Sequence, residues 1–313
     1  MARVLIAGLP RSGTSWVGRV IGAAEGARFV HEPDGDYEPF AIRAKRGHAR
    51  HIALDAHADL PAYNQLWSSA FAGGVRPTTI RARLAKRLVD SASLNERWDA
   101  RRGAPTSVRM RAALALAEPL EPDPGATHIV VKSVHCALAI EWIAAQFDPL
   151  VVVVERDPRN VLASWMKLGM GGDRHENVLL AKVARDRWGL EPPSENAPKI
   201  VQRTFVFGVL ACGLREAASR HPQWIIVSHD DVCVDPMSKF RVVFDRLGLG
   251  FGDRAGGYIS ESNRPGEGFR TARLTSEQPT KWRDQLTEND VALVAQELRR
   301  FPCDLLWADR NST

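Results

Sequence analysis

The stretch Gly8-Leu9-Pro10-Arg11-Ser12-Gly13-Thr14-Ser15-Trp16, directly after the apolar run Val4 to Ala7, constrains this chain more than any other. A buried strand, a glycine turn and a helix, in that order, present backbone N–H groups to a phosphate. Glycine at 8 and 13 permits the sharp turn and the inward-pointing amides. The usual loop of this kind reads G-x-x-x-x-G-K-[ST], and its lysine reaches the β- and γ-phosphates of a nucleotide. Here Gly8 and Gly13 keep the spacing and Ser15 keeps the hydroxyl, but Thr14 stands in the lysine's place and the cation is Arg11. The N–H groups of Ser12 to Ser15, the hydroxyls of Thr14 and Ser15, and the forked guanidinium of Arg11 together form a candidate oxyanion site. The displaced cation raises the question of which phosphate ligand needs such a cradle with its cation moved.

Further apolar runs repeat the strand signal. Ile129 to Val131 ends at Lys132 and Ser133, and a helical pattern follows through Ala137, Ile140, Ile143, Ala144 and Phe147. Leu150 to Val154 is continuous and β-branched, as a parallel strand covered on both faces must be. It ends in Glu155-Arg156-Asp157-Pro158, where Asp157 is a good N-cap and Pro158 a good first helical residue, predicting a helix over about 158–168. Thr14 to Ala24 reads as the helix after the loop, Phe29-Val30-His31-Glu32-Pro33 as the end of a second strand, and Trp224 to Val227 as a late one. The alternation predicts an α/β protein, a three-layer phosphate-loop NTPase-like fold with a central parallel sheet. Residues 34–127 read as helices without convincing strands, hence as a helical insertion on that sheet. The candidate site draws on both sides of the insertion, so 1–313 reads as one domain.

The bulk properties exclude more than they identify. Four cysteines (Cys136, Cys212, Cys233, Cys303) show no C-x-x-C pair, so neither a zinc site nor a disulfide framework is expected. The first strand begins at once, leaving no room for a signal peptide, and no apolar stretch approaches the ~18 residues of a membrane span. The expected location is the cytoplasm. Between Arg76 and Arg111 ten Lys or Arg face three acids, which reads as a solvated basic face. Nothing matches a standard nucleic-acid module, and no nucleic-acid partner is expected. His48, His51 and His57 lack cysteine or acidic partners and read as solvated helix residues, so no metal is expected. Tyr63, Trp67, Phe71 and Trp98 read either as an apolar pocket wall or as core.

Two more features lie at strand ends, where ligands of open α/β sheets bind. One is Glu155-Arg156-Asp157-Pro158-Arg159-Asn160-Val161-Leu162-Ala163-Ser164-Trp165, in which Arg156 and Ser164 can hold a second phosphate. The other is Lys132, with His135 three residues on. Taken together, the chain resembles the sulfotransferases that use 3′-phosphoadenosine 5′-phosphosulfate (PAPS). PRSGTSW, Pro10 to Trp16, is similar to that family's 5′-phosphosulfate loop, and RDPRNVLAS to its 3′-phosphate motif. The resemblance implies a sulfuryl transfer from PAPS, as co-substrate and without a metal, to a hydroxyl of a small-molecule, carbohydrate or lipid acceptor. It implies that Arg11 and Lys132 stabilise charge on the departing phosphate and that Trp16 stacks on the adenine.

A hydroxyl acceptor needs a general base. Glu32 lies twenty-one residues after Arg11, an interval similar to that of the base in protein-tyrosine and some bacterial sulfotransferases. Cytosolic phenol and steroid sulfotransferases use a histidine two residues after a lysine, whereas His135 comes three after Lys132. Both remain candidates, with Glu32 preferred. Asp230-Asp231 through Pro236 is similar to the family's acidic turn, and Thr280-Lys281-Trp282-Arg283 to a segment that closes over the 3′-phosphate. Arg270, Arg273, Lys281 and Trp282 are the candidates there, in a stretch suited to a mobile lid. Acceptor choice is expected in the insertion and around Gly169 to Glu195. Two other readings stay open: a kinase using Mg-ATP through a degenerate loop, and a non-catalytic nucleotide- or nucleic-acid-binding protein.

Overall fold

In the computed structural model, which describes residues 2–74, 77–123, 125–268 and 271–305, each expected apolar run becomes a strand of one parallel sheet. β1 (Ala2–Gly8) leads through the loop into α1 (Thr14–Ile21) and β2 (Ala27–His31). The insertion follows as α2 (Pro39–Ala44), α3 (Pro61–Phe71), α4 (Ile80–Asp90), α5 (Leu94–Arg102) and α6 (Val108–Ala115). Next come β3 (His128–Ser133), α7 (Ile140–Phe147), β4 (Leu150–Glu155), α8 (Pro158–Leu168), α9 (Arg174–Trp188) and α10 (Lys199–Arg220). β5 (Ile225–Ser228), α11 (His229–Val234), α12 (Pro236–Leu247), α13 (Asp253–Ser262) and α14 (Glu288–Leu298) follow, with short 3-10 helices at Thr275–Glu277 and Lys281–Asp284 before α14.

The strand order is β2-β3-β1-β4-β5, all parallel. β1 is central, and the chain crosses from its β3 side to its β4 side between those two strands. The crevice outside the carboxyl ends at such a switch point is where open α/β sheets bind ligands. Register then decides who meets whom: Lys132 pairs with Ile6 on one side and His31 on the other, and Gly8 pairs with Val154. This is a three-layer α/β fold with a central parallel sheet, as expected.

The uninterrupted apolar runs are explained by two cores. Leu5, Ala7, Val131 and Val153 face one, with α3, α7, α8 and α10; Val4, Ile6, Val130, Val152 and Val154 face the other, with α1, α12 and α13. β5 departs from the pattern, because Ile226 is 46% exposed while Ile225 and Val227 are buried. It is one of the two edge strands, and its Ile226 face is left open. Tyr63, Trp67 and Phe71 of α3 are fully buried and stack with Trp142 and Phe147, so these aromatics are core rather than pocket wall. Trp98 is half-buried under Arg50.

Local signals explain most of the boundaries. α8 starts as expected, with the Asp157 carboxylate accepting from the Arg159 N–H and Pro158 in the first turn, and it stops at Gly169 in the left-handed region. α1 ends at Ile21, earlier than Ala24, because the Ala23 and Ala24 amides tighten onto Val20 and Ile21. Two expectations need correction. Cys212 on α10 and Cys303 beyond α14 form a disulfide, with Cα atoms 5.6 Å apart across 91 residues. Spacing could not reveal the pair, since packing of the chain's end on α10 creates it. A disulfide is not what a reducing compartment favours. Second, none of His48, His51 and His57 lies on a helix, and His51 is buried. Among the described residues no helix is long and apolar enough to cross a membrane.

Candidate functional site

The loop after β1 is shaped by two left-handed residues, Arg11 at φ 73° and Gly13 at φ 90°. For Gly13 that conformation is cheap; for Arg11 it is strained, and such strain concentrates at ligand sites. The Ser12 N–H closes a turn on the Leu9 carbonyl, 3.1 Å away. Gly13 caps α1 without a side-chain hydrogen bond. The Thr14 and Ser15 amides, first in the helix, find no protein acceptor among the described residues. Ser12 Oγ is likewise buried without a hydrogen-bond partner. Orphaned donors at a helix N-terminus suit an oxyanion.

His229, at the start of α11, covers this loop. A Cβ added to Gly13 would stand 2.0 Å from the ring's Cδ2. Trp16 packs edge-on against His229 and Phe240 and donates to Ser262 Oγ at 2.9 Å, so most of its ring is spent on core packing. Its remaining edge reaches the cleft. Burial pushes the His229 imidazole down to about 4, aided by the Arg156 charge. Folded, it is neutral at pH 5; unfolded, its ordinary value is about 6.5. The unfolded chain therefore binds the extra proton as pH falls, and this contribution to stability fades from about 6.5 to about 4. His229→Gln removes the effect. Urea denaturation at pH 7 and pH 5 is expected to show the wild type losing about 2 kcal/mol more than the variant.

Cations gather around the loop. Arg11 Nε donates to Ser164 Oγ at 2.9 Å and Nη2 to the Gly268 carbonyl at 3.0 Å. Arg156 Nη1 donates to the Arg11 carbonyl at 3.1 Å, and Nη2 to the carbonyl and side-chain oxygens of Gln278. Ser164 is thus brought to Arg11, while Arg156 braces the loop backbone. Arg273 donates to the Ala272 and Gly268 carbonyls. Burial, then Arg273, then Arg156 hold the Arg11 guanidinium down at about 10. Three guanidinium groups beside orphaned amides suit an anion, with Asp230 and Asp157 facing Arg156 and Glu267 facing Arg273.

The segment carrying Lys281 and Trp282 docks on α8. Asn160 donates to the Pro279 carbonyl at 2.9 Å and accepts from the Trp282 N–H at 3.0 Å. The Arg159 guanidinium lies 4.2 Å from the centroid of the Trp282 ring. Lys281, Trp282, Arg273 and Gln278 all border the cleft. Arg270 lies outside the described residues. Sequence reading missed Asn160, although it stands inside the RDPRN string. It also missed Gln278 and His229, for which no local signal existed.

At the β2 and β3 ends, the two candidate bases meet the same lysine. Glu32 leaves β2 in the left-handed region, φ 46°, and its amide donates to the Lys132 carbonyl at 2.6 Å. The Lys132 ammonium, 1% exposed, bonds the Glu32 carboxylate. His135 Nε2 is 3.9 Å from the other Glu32 oxygen. The His135 amide rests on Ser133 Oγ, which donates to the buried Asp34 carboxylate. Burial, reinforced by the Lys45, Arg50 and Lys132 charges, holds the His135 imidazole well below its ordinary value, so it is neutral. The His51 ring lies 5.4 Å from it, and the His51 and Arg50 amides donate to Glu176.

The loop, the arginines, Ser164, Lys281, Trp282, Glu32, Lys132 and His135 all open into one cleft of about 570 Å³. Of the loop residues, Leu9 and Ser12 face away from it, toward β4 and α8.

No protein-family model and no curated protein sequence matches the chain. Among solved structures it is similar to the sulfotransferase STF1 from Mycobacterium tuberculosis H37Rv, at 14% identity over 96% of this chain and 76% of that one, with a TM-score of 0.41. It is also similar to the sulfotransferase STF9 from Mycobacterium avium, at 13% identity over 98% of this chain and 78% of that one, with a TM-score of 0.41. Similarity at this level leaves the chemistry to be argued from the chain's own residues.

Proposed function

We propose that the chain is a PAPS-dependent sulfotransferase acting on a hydroxyl acceptor. The observation that carries this reading is the union, in one cleft, of an orphaned amide cradle without the usual lysine and the Glu32–Lys132 pair. The residues fit the co-substrate: the amides of Thr14 and Ser15 with Arg11 would hold its 5′-phosphosulfate, and Arg156, Arg273 and Lys281 its 3′-phosphate. PAPS supplies an activated sulfuryl group on a phosphate leaving group. Glu32 would take the proton of the acceptor hydroxyl, as base, when that oxygen forms its bond to sulfur. Lys132 and Arg11 would offset the charge that collects on the phosphate oxygen as its bond to sulfur breaks. No magnesium-bound triphosphate is needed for the cation at Arg11, which suits a shorter ligand than that of a kinase.

His135 is the weaker base candidate. Its Nε2 addresses Glu32, which supports a positioning role. The acceptor side would be formed by the insertion and the end of α8, and a small molecule or glycan fits such a cleft.

Thermal stabilisation by 3′-phosphoadenosine 5′-phosphate without metal tests the reading, beside Mg-ATP and 5′-AMP. At a hundred times its dissociation constant the bisphosphate should add about 2.7 kcal/mol of apparent stability. The shift should shrink sharply in Arg156→Ala. Stabilisation by Mg-ATP alone would overturn the reading and favour the kinase.

A further inference from the structure

The acceptor end of the cleft contains a cationic wall with no role in the steps above. Arg50 borders it beside Glu32, Lys132 and His135. Its guanidinium is clamped rather than floating. Nε donates to Asp36 Oδ2 at 3.2 Å, and the fork lies 4.9 Å from the centroid of the Trp98 ring. Its terminal nitrogens have no protein acceptor among the described residues, and the side chain is 25% exposed. A planar fork anchored at one corner leaves two donors fixed in direction, the arrangement that binds an oxyanion bidentately.

The charge behind Arg50 does not cancel. Asp36 is shared by Arg50 and by Lys45 and Arg101, both 0% exposed. Glu176 also faces Arg101, 3.7 Å away. Three cations therefore stand against two carboxylates. Burial pushes the nearby Asp34 carboxyl up, toward its neutral form. His51 and His135, pressed down by burial, contribute no charge. The Arg102–Asp173 pair beside them is balanced. Arg50 is the charged member of this cluster that borders the cleft, which Lys167 borders as well. Of the two acids that border the cleft, Glu32 and Glu267, Glu32 is the one beside Arg50's end, and it is held by Lys132.

We propose that Arg50 binds an anionic group of the acceptor, a carboxylate or a sulfate or phosphate ester, so that the preferred acceptor is a hydroxyl compound already bearing negative charge. This rests on the sulfotransferase reading. It goes beyond it by naming the acceptor class and the residue that selects it. Val134, Leu168 and Met170 supply apolar contact for the acceptor's body beside that charged wall.

The test titrates the full chain, saturated with 3′-phosphoadenosine 5′-phosphate, with p-nitrophenyl β-glucoside, p-nitrophenyl β-glucuronide and the 6-sulfate of the glucoside. These probes share a ring and hydroxyls and differ in charge. Calorimetry is expected to show the anionic probes binding about tenfold to a hundredfold more tightly than the glucoside, an advantage typical of a charge-assisted bidentate pair. The more favoured of the two anions identifies the group. In Arg50→Met the ratio should fall to near one, and Arg50→Lys, which keeps the charge without the fork, should retain only part of it. Bisphosphate binding by each variant serves as the check on folding. Equal affinities in the wild type, no binding of any probe, or an advantage that survives Arg50→Met overturns the proposal. Failure of the bisphosphate itself to bind overturns the underlying reading instead.

Discussion

Replacing Lys132 by methionine is expected to lower kcat/KM for sulfuryl transfer by about three orders of magnitude. The ammonium is buried and bonded to Glu32, and the proposed chemistry uses it twice. It offsets charge on the departing phosphate, and removing one such preorganised donor typically costs roughly 10²–10³ in rate. It also fixes the direction of the Glu32 carboxylate. Methionine keeps the length and the packing but leaves that carboxylate without its partner, so a stability loss of about 3 kcal/mol should accompany the loss of rate. Glu32→Gln separates the two effects. The amide keeps a hydrogen bond to Lys132 but cannot accept a proton as a base, so the rate should fall roughly 10²–10⁴-fold while bisphosphate binding holds. His135→Asn should cost far less if the imidazole only positions Glu32. Transfer of [35S]sulfate from PAPS to p-nitrophenyl β-glucuronide measures all three. A His135 variant as impaired as Glu32→Gln would transfer the role of base to His135.

Gly13→Ala is the second large effect, and it should abolish stabilisation by 3′-phosphoadenosine 5′-phosphate. The new methyl group would stand 2.0 Å from His229 Cδ2, in a residue at φ 90°. Either the loop or the imidazole must shift, and the orphaned amides of Thr14 and Ser15 then no longer point at one spot. The left-handed backbone adds about 1–2 kcal/mol for a residue with a Cβ. The double variant Gly13→Ala/His229→Ala removes the ring contact but not the backbone strain. It should recover part of the stability while binding stays weak, and that coupling can be read from a double-mutant cycle of urea midpoints. Full binding in Gly13→Ala alone would show that the loop is not the anion site.

The fold was legible where physics is local. Val4 to Ala7 and Leu150 to Val154 announced strands buried on both faces, because a strand covered twice cannot alternate. Asp157 and Pro158 announced the start of α8, since a cap and a fixed φ act within one turn. Glycine at 8 and 13 announced the loop, because few backbones can turn there otherwise. The site was legible only in part. Arg11, Glu32, Lys132 and Arg156 could be named from motif and position, yet Ser164 bonds Arg11 and Arg156 braces the loop and Gln278. Trp16 turned out to spend most of its ring on Phe240, His229 and Ser262.

What the sequence determined by itself was the five strands, the helices that follow three of them, the glycine loop and the residue types at the strand ends. These follow from covalent geometry and from contacts within a few residues. Tertiary structure decided which side chains share the cleft. The strand order β2-β3-β1-β4-β5 lays Lys132 beside His31, and the turn at Glu32 brings its carboxylate to that lysine, one hundred residues away in the chain. It placed His229 on Gly13, joined Cys212 to Cys303, and buried Lys45 and Arg101 behind Arg50. Each of these depends on long-range packing, and neither spacing nor composition encodes which distant surfaces will meet.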